Sequence, residues 1–185
     1  TYTLDGAQNW LAVAGGTDAG AYSMNPTLPN PADSQVNQYT STPFDTRKYD
    51  PNGNLTRIND GSPTQRNLVF DYRNHLVRHV DLGNGKTTAF DYDALGRRIT
   101  RVADATSGSP VVTRYLYSSW TVIEERSGVG ATLATYVPGQ ALDELLSMCR
   151  AGAIFFVHQD DQNNVLALTD TNALVKELYR YGNYG

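Results

Sequence analysis

The chain has 185 residues, 15 lysines and arginines against 19 aspartates and glutamates, a formal net charge of −4 and a single cysteine. This length suits one sizeable core better than two unrelated domains. The basic residues are scattered, which excludes the clustered positive footprint of a nucleic-acid binder, and the longest apolar stretch, Ala151 to Val157, is far too short for a membrane helix.

The first residues, Thr1-Tyr2-Thr3, already fall inside a pattern. They carry no initiator methionine, charged leader or apolar leader, so the expectation is a piece of a longer polypeptide. A first degenerate hairpin is centred on Leu4-Asp5 and followed by turn chemistry at Gly15-Gly16 and a strand at Ala21 to Met24. Pro26, Pro29 and Pro31 cannot donate to a ladder, so residues 26–35 are expected to form an inserted loop, with pairing resuming at Val36 to Thr40. Asn52-Gly53 predicts a type I′ hairpin turn. Further turns are expected at Asp60-Gly61, Asn84-Gly85, Ser107-Gly108, Ser127-Gly128, Pro138-Gly139 and Gly182-Asn183.

The fullest statement of the pattern is Thr88 to Val102. Phe90 and Tyr92 alternate with Asp91 and Asp93, which at a side-chain period of two places rings on one face and carboxylates on the other. Ala94-Leu95-Gly96 breaks the run, and Arg98 to Val102 resumes it. Aligned on the Tyr92-Asp93 dipeptide, the copies are Leu4-Asp5, Met24-Asn25, Tyr49-Asp50, Phe70-Asp71 and Tyr117-Ser118. Their spacing of about 20 to 25 residues is that of a repetitive architecture with insertions. Ala141 to Met148 has the 3.6-residue period of a helix, but it is only two turns long and lies between Pro138-Gly139 and Gly152.

Few residues offer chemistry. Gly83-Asn84-Gly85-Lys86-Thr87 resembles part of a phosphate loop, yet Val80 stands where the first glycine is required and a strand-like run follows. Glu124-Glu125 and Asp143-Glu144 are neighbours whose side chains diverge in a strand, so neither pair converges on one bond. His75 and His79 would lie roughly 13 Å apart in a strand, too far for one ion. His158 and Asp160 share a face only if their strand continues, and a turn is the simpler reading. Asn54-Leu55-Thr56 matches a glycosylation acceptor by a triplet common by chance. Cys149 reads as a small strand residue, because no motif ties a base to it. No catalytic, cofactor-binding or metal-binding residue is assigned.

Tyr49-Asp50-Pro51-Asn52-Gly53-Asn54-Leu55, Tyr92-Asp93-Ala94-Leu95-Gly96-Arg97-Arg98, and the ending from Phe155 through Asp160 and Asp170 to Tyr179-Arg180-Tyr181 and Gly185 resemble the repeats and the start of the core of RHS-repeat proteins. The likeness covers essentially the whole chain. Related families are bacterial RHS polymorphic toxins, shell components of insecticidal Tc toxins and animal teneurins. The resemblance implies repeats over 1–154, the associated core from 155 to 185, and an extended rather than helical segment at 141–148. In such proteins the segment containing His158 and Asp160 has no assigned ligand role, and a self-cleaving aspartate segment lies beyond the point this chain reaches.

The expected fold is all-β: a curved antiparallel sheet of roughly 16 strands, since open sheets beyond about 10 strands curl, split or close. Its repeat positions are Asp5, Tyr49, Asp50, Gly53, Phe70, Asp71, Phe90, Tyr92, Asp93, Gly96, Tyr117, Asp160, Tyr179, Tyr181 and Gly185. By resemblance, the function is a non-enzymatic wall segment that encapsulates or presents a C-terminal toxin or effector, in a secreted or cell-surface bacterial protein. The expected partners are the rest of the polypeptide and its cargo, with neither nucleic acid nor a cofactor. The alternative is an adhesion module whose exposed tyrosines, Trp10 or Trp120 bind a glycan or protein. With its faces lacking neighbouring repeats, the isolated segment is expected to be unstable as a monomer.

Overall fold

The structure, a computed structural model, describes residues 1–6, 8–24, 38–141 and 143–181. The expected loop at 26–35, Asn25, Val36-Asn37, Gly182-Asn183 and Gly185 lie outside the described residues, as does Leu142. No helix occurs among the described residues. The strands are β1 (Tyr2–Leu4), β2 (Trp10–Val13), β3 (Gly20–Ala21), β4 (Arg47–Tyr49), β5 (Leu55–Ile58), β6 (Arg66–Phe70), β7 (Leu76–Asp81), β8 (Lys86–Tyr92) and β9 (Arg98–Ala103), followed by β10 (Val111–Ser118), β11 (Thr121–Ser127), β12 (Thr132–Pro138), β13 (Leu145–Arg150), β14 (Ala153–Gln159), β15 (Val165–Thr169) and β16 (Val175–Leu178). The helix-like stretch at 141–148 thus delivers its second half to β13 as a strand.

The strands β1 to β3 form a three-stranded sheet, and β4 to β16 follow one another in sequence order in a 13-stranded sheet. Sequential strands pair antiparallel, for example β6 with β7 and β13 with β14. The chain forms two compact units, one of residues 1–90 with 103–110 and one of residues 91–102 with 111–185.

The hairpins share a closure written in the sequence. Leu4 pairs with Trp10, Tyr49 with Leu55, Phe70 with Leu76, Gln159 with Val165 and Thr169 with Val175, each across a register shift. Between each pair lies an aspartate whose carbonyl accepts the amide three residues on and whose amide donates to the carbonyl four residues on, as with Gly53 and Asn54 around Asp50. The third residue after the aspartate has positive φ: Gln8 at 66°, Gly53 at 87°, Asn74 at 63°, Gly96 at 85°, Asn163 at 61° and Ala173 at 59°. Glycine, asparagine and aspartate tolerate this left-handed conformation most readily, so glycine recurs in the fuller copies. Asn52 does not have positive φ, and the expected type I′ turn is replaced by a longer loop that ends in a left-handed residue and a bulge.

Each face of the sheet stays largely open. The buried apolar side chains among the described residues are Val13, Ala134 and Leu168, whereas Val137, Ile154, Phe156, Val175 and Leu178 are exposed. In the second unit Val137, Ser147, Phe156, Thr169 and Val175 form one cross-strand row, and Val137, Phe156 and Val175 in it are exposed.

Candidate functional site

The aspartates expected at repeat positions form one recurrent structure. In the first unit the Asp50 carboxylate accepts the amides of Asn52 at 3.0 Å and Asn54 at 2.8 Å and the Asn54 Nδ2 at 2.9 Å. Asp71 accepts the amides of Arg73 and His75 and lies 3.2 Å from the His75 Nδ1. Asp5 accepts the Asn9 amide and side chain in the same way. In the second unit Asp93 holds the amides of Leu95 and Arg97, and its other oxygen takes the Arg97 Nε at 2.7 Å. Asp160 repeats this with Gln162 and Asn164, and Asp170 with Asn172, Leu174 and Lys176.

These bonds stabilise the charged carboxylates. Burial pushes Asp50 and Asp93 upward, but the donors from Asn54 and from Arg97 outweigh it and hold each below the ordinary carboxylate range. The His75 amide lowers Asp71, the Asn164 side chain lowers Asp160 and the Lys176 ammonium lowers Asp170. Asp170, which repeats the geometry of Asp160, was not among the repeat positions expected from sequence, because it lies ten residues after Asp160 instead of about twenty.

Tyr49, Phe70 and Tyr92 are each half-buried, and each ends the strand that enters an aspartate turn. The Tyr49 hydroxyl donates to the Tyr39 carbonyl at 2.9 Å. Around it in the first unit, Tyr2, Trp10, Tyr22 and Tyr39 form a chain of ring contacts with centroids 5.4 to 5.6 Å apart. Trp10 is thereby engaged at home; its amide also donates to the Tyr39 hydroxyl. Phe90 is half-buried in β8.

Tyr117 departs from the repeat. Its strand returns through Ser118 paired with Thr121, a two-residue turn with positive φ at Ser119 and no aspartate cradle. The Tyr117 hydroxyl instead donates to the Arg98 carbonyl at 2.8 Å, and the Arg97 guanidinium lies 5.0 Å from its ring centre. Burial pushes its phenol upward. Tyr179 donates to Glu177, and Tyr181 donates to the Val165 carbonyl at 2.8 Å.

The most concentrated polar arrangement in the second unit was not anticipated. Register places Tyr115, Glu125, Ala134 and Arg150 side by side on four successive strands. Tyr136 donates to Glu125 Oε1 at 2.7 Å, and Arg150 Nη2 reaches Glu125 Oε2 at 3.3 Å and the Tyr136 hydroxyl at 2.9 Å. Ala134 lies between the two bridged residues and is 1% exposed. Arg98 lies 4.9 Å from the Tyr115 ring centre. Burial, then the bond to Glu125, raises the Tyr136 phenol; the Tyr136 bond raises the Arg150 guanidinium. Finding this network requires the register of four strands, which no local motif encodes.

The other candidates stay apart. Glu124 serves Arg126 and Thr132, whereas Glu125 serves Tyr136 and Arg150. Gly83 to Lys86 is a turn entering β8, with the Gly83 and Asn84 amides on Asp81. His158 Nε2 lies 2.9 Å from the Thr169 hydroxyl, while Asp160 belongs to its turn. Cys149 is free and half-buried. No group of three or more histidine, cysteine, aspartate or glutamate side chains is placed to hold a metal among the described residues.

Comparison with known proteins gives a family-model match to the RHS Repeat at residues 70–109, the span that holds the Asp71 and Asp93 turns. Residues 70–109 therefore carry an RHS repeat. Along its whole length it is 27% identical over 187 residues to the tRNA3(Ser)-specific nuclease WapA of Bacillus spizizenii and to the tRNA nuclease WapA of Bacillus subtilis. It spans 7% of each of those proteins. Among solved structures, TcdB2-TccC3 aligns with a TM-score of 0.47 and 14% identity over 67% of this chain and 8% of that chain. TcdB2-TccC3-Cdc42 aligns at 0.46 and 13% over 66% and 7%. No helix among the described residues is long and apolar enough to cross a membrane.

Proposed function

We propose that this RHS-repeat chain is a wall segment of a larger β-sheet shell that encloses a C-terminal effector of the same secreted bacterial polypeptide. On this reading residues 1–154 are repeats and 155–185 begin the RHS-associated core. The aspartate, glycine and aromatic repeat positions then shape the wall and perform no catalysis. The observation that carries the reading is the sheet itself: thirteen strands in sequence order, with the same aspartate turn recurring at Asp50, Asp71, Asp93, Asp160 and Asp170, and with three buried apolar side chains among the described residues. Such a sheet is suited to continuing into neighbouring repeats, which supply the contacts that a repeat cannot make alone.

The nuclease names of the Bacillus relatives belong to proteins of which this chain spans 7%, so the reading does not carry that activity over to it. Limited proteolysis of the full-length polypeptide tests enclosure. The effector should be digested more slowly than the same effector expressed alone, and combined Asp71→Ala and Asp93→Ala substitutions should remove much of that protection. Equal digestion of enclosed and free effector refutes enclosure. Cleavage of tRNA by the full-length protein that survives removal of its effector but not substitution within residues 1–185 refutes the non-enzymatic assignment.

A further inference from the structure

Asparagine precedes glycine twice in the chain, at Asn52-Gly53 and at Asn84-Gly85. At such a pair the backbone amide can attack the side-chain carboxamide, because glycine carries no side chain to hinder the approach. In the first unit the two pairs stand in opposite arrangements. The Gly53 amide donates to the Asp50 carbonyl at 2.9 Å and the Gly53 carbonyl accepts Gln38 Nε2 at 3.4 Å, so the residue that would attack Asn52 is held at both of its backbone groups. The Gly85 amide has no hydrogen-bond partner among the described residues, and beyond the chain neighbours no heavy atom lies within 4 Å of where a Cβ would stand. Asn84 and Gly85 are both exposed in the turn between β7 and β8. The Asn84 carboxamide is aimed. Its Oδ1 accepts the Lys86 amide at 2.8 Å, which folds the group back over the intervening Gly85 nitrogen, and its Nδ2 donates to Asp81 Oδ2 at 3.2 Å.

We infer that Asn84 is a site of spontaneous deamidation in the folded protein, and that Asn52, in the same dipeptide, is protected from it. The Gly85 nitrogen bonds to Asn84 Cγ while the Lys86 amide stabilises the negative charge that develops on Oδ1. The Cγ–Nδ2 bond then breaks, and the nitrogen leaves as ammonia with the proton that Gly85 gives up. Water opens the resulting cyclic imide and leaves aspartate or isoaspartate at position 84, so the net exchange is water in and ammonia out. The aspartates of the repeat turns make the same contact with the amide two residues on, but they present ionised carboxylates, which resist attack by an amide. The consequence falls on Asp81, whose carboxylate also accepts the Gly83 amide at 2.9 Å and lies 3.7 Å from Arg66. A new carboxylate at position 84 replaces a donor to Asp81 with a like charge, which loosens the closing end of the β7–β8 hairpin. The inference does not depend on the wall function, since it needs only the local geometry of the two turns.

The test is peptide mapping by mass spectrometry on the full-length polypeptide, kept folded at mildly alkaline pH and sampled over weeks. The peptide containing Asn84 should gain the mass of the ammonia-for-water exchange about three- to tenfold faster than the peptide containing Asn52, the scale of one hydrogen bond broken before attack. In denaturant the two sites should convert at comparable rates. Asn84→Gln, whose longer side chain cyclises poorly, should abolish the gain in its peptide. Asp50→Ala, which loosens the turn that holds Gly53, should speed conversion of Asn52 and leave Asn84 unchanged. Equal rates in the folded protein, a faster Asn52, the same selectivity in denaturant or a gain that survives Asn84→Gln each overturn the inference. Asn84→Asp should lower hydrogen-exchange protection across residues 76–90, and unchanged protection there overturns the loosening of the hairpin.

Discussion

Replacing Asp50 by alanine removes three acceptor contacts at once: those from the Asn52 amide, the Asn54 amide and the Asn54 side chain. The backbone bonds of the loop remain, so the perturbation isolates the carboxylate. Hydrogen bonds to charged groups contribute about 1.5–3 kcal/mol each when sheltered, but exposed donors can turn to water, as they do when a helix cap is lost at about 0.5–2 kcal/mol. The expected cost of Asp50→Ala is therefore about 1–2 kcal/mol, felt first as local opening of the β4–β5 hairpin. Hydrogen exchange measured by mass spectrometry on peptides covering residues 47–58 reads this directly: protection should fall about five- to thirtyfold there. Asp50→Asn retains one acceptor oxygen and should lose less than half as much. Unchanged protection in Asp50→Ala, or an equal loss in Asp50→Asn, would refute the account of the turn.

Gly53→Ala places a side chain at φ 87° and should cost about 1 kcal/mol in the same peptides, whereas Asn74→Gly relieves φ 63° but loses the bond that Asn74 Oδ1 accepts from Asn54 Nδ2 at 2.8 Å, and should be close to neutral. The pKa values of Asp50, Asp71, Asp93, Asp160 and Asp170 are all lowered, so the stability they add is fully present above the unfolded carboxylate pKa of about 3.9 and is lost as pH falls through their folded values. A pH series should accordingly show the aspartate turns of both units opening together below about pH 4; a profile flat into that range contradicts the assignment. Ala134→Leu forces a larger side chain beneath the Glu125–Arg150 bridge at a position 1% exposed, and should cost about 1–3 kcal/mol by overpacking, read as a drop in the melting temperature. Sedimentation of the isolated 185-residue chain should show self-association, driven by exposed Phe156, Val175 and Leu178; a well-behaved monomer with a cooperative melt would mean that the segment satisfies itself.

The repeat was legible because its physics is local. An aspartate, two intervening residues and a left-handed position must fall within a few residues of one another, and Tyr49-Asp50 to Gly53 and Tyr92-Asp93 to Gly96 state all of it in the sequence. Antiparallel pairing of neighbouring strands follows, since such turns join strands that lie side by side. Chain order alone therefore gave the all-β architecture, and it also kept Glu124 and Glu125 from being paired. The turn class at Asn52-Gly53 was not legible: the same dipeptide serves two loop lengths, and the Asp50 carboxylate with its i+4 partner selects the longer one. Tyr117-Ser118 satisfied the spacing but lacked the carboxylate, so its strand turned by a shorter route. The Tyr115, Glu125, Tyr136 and Arg150 network belonged wholly to the tertiary structure. A β-strand specifies which of its residues share a face, but only register specifies which residue on the next strand each one meets, and a shift of one residue would have sent Arg150 to the opposite face of the sheet.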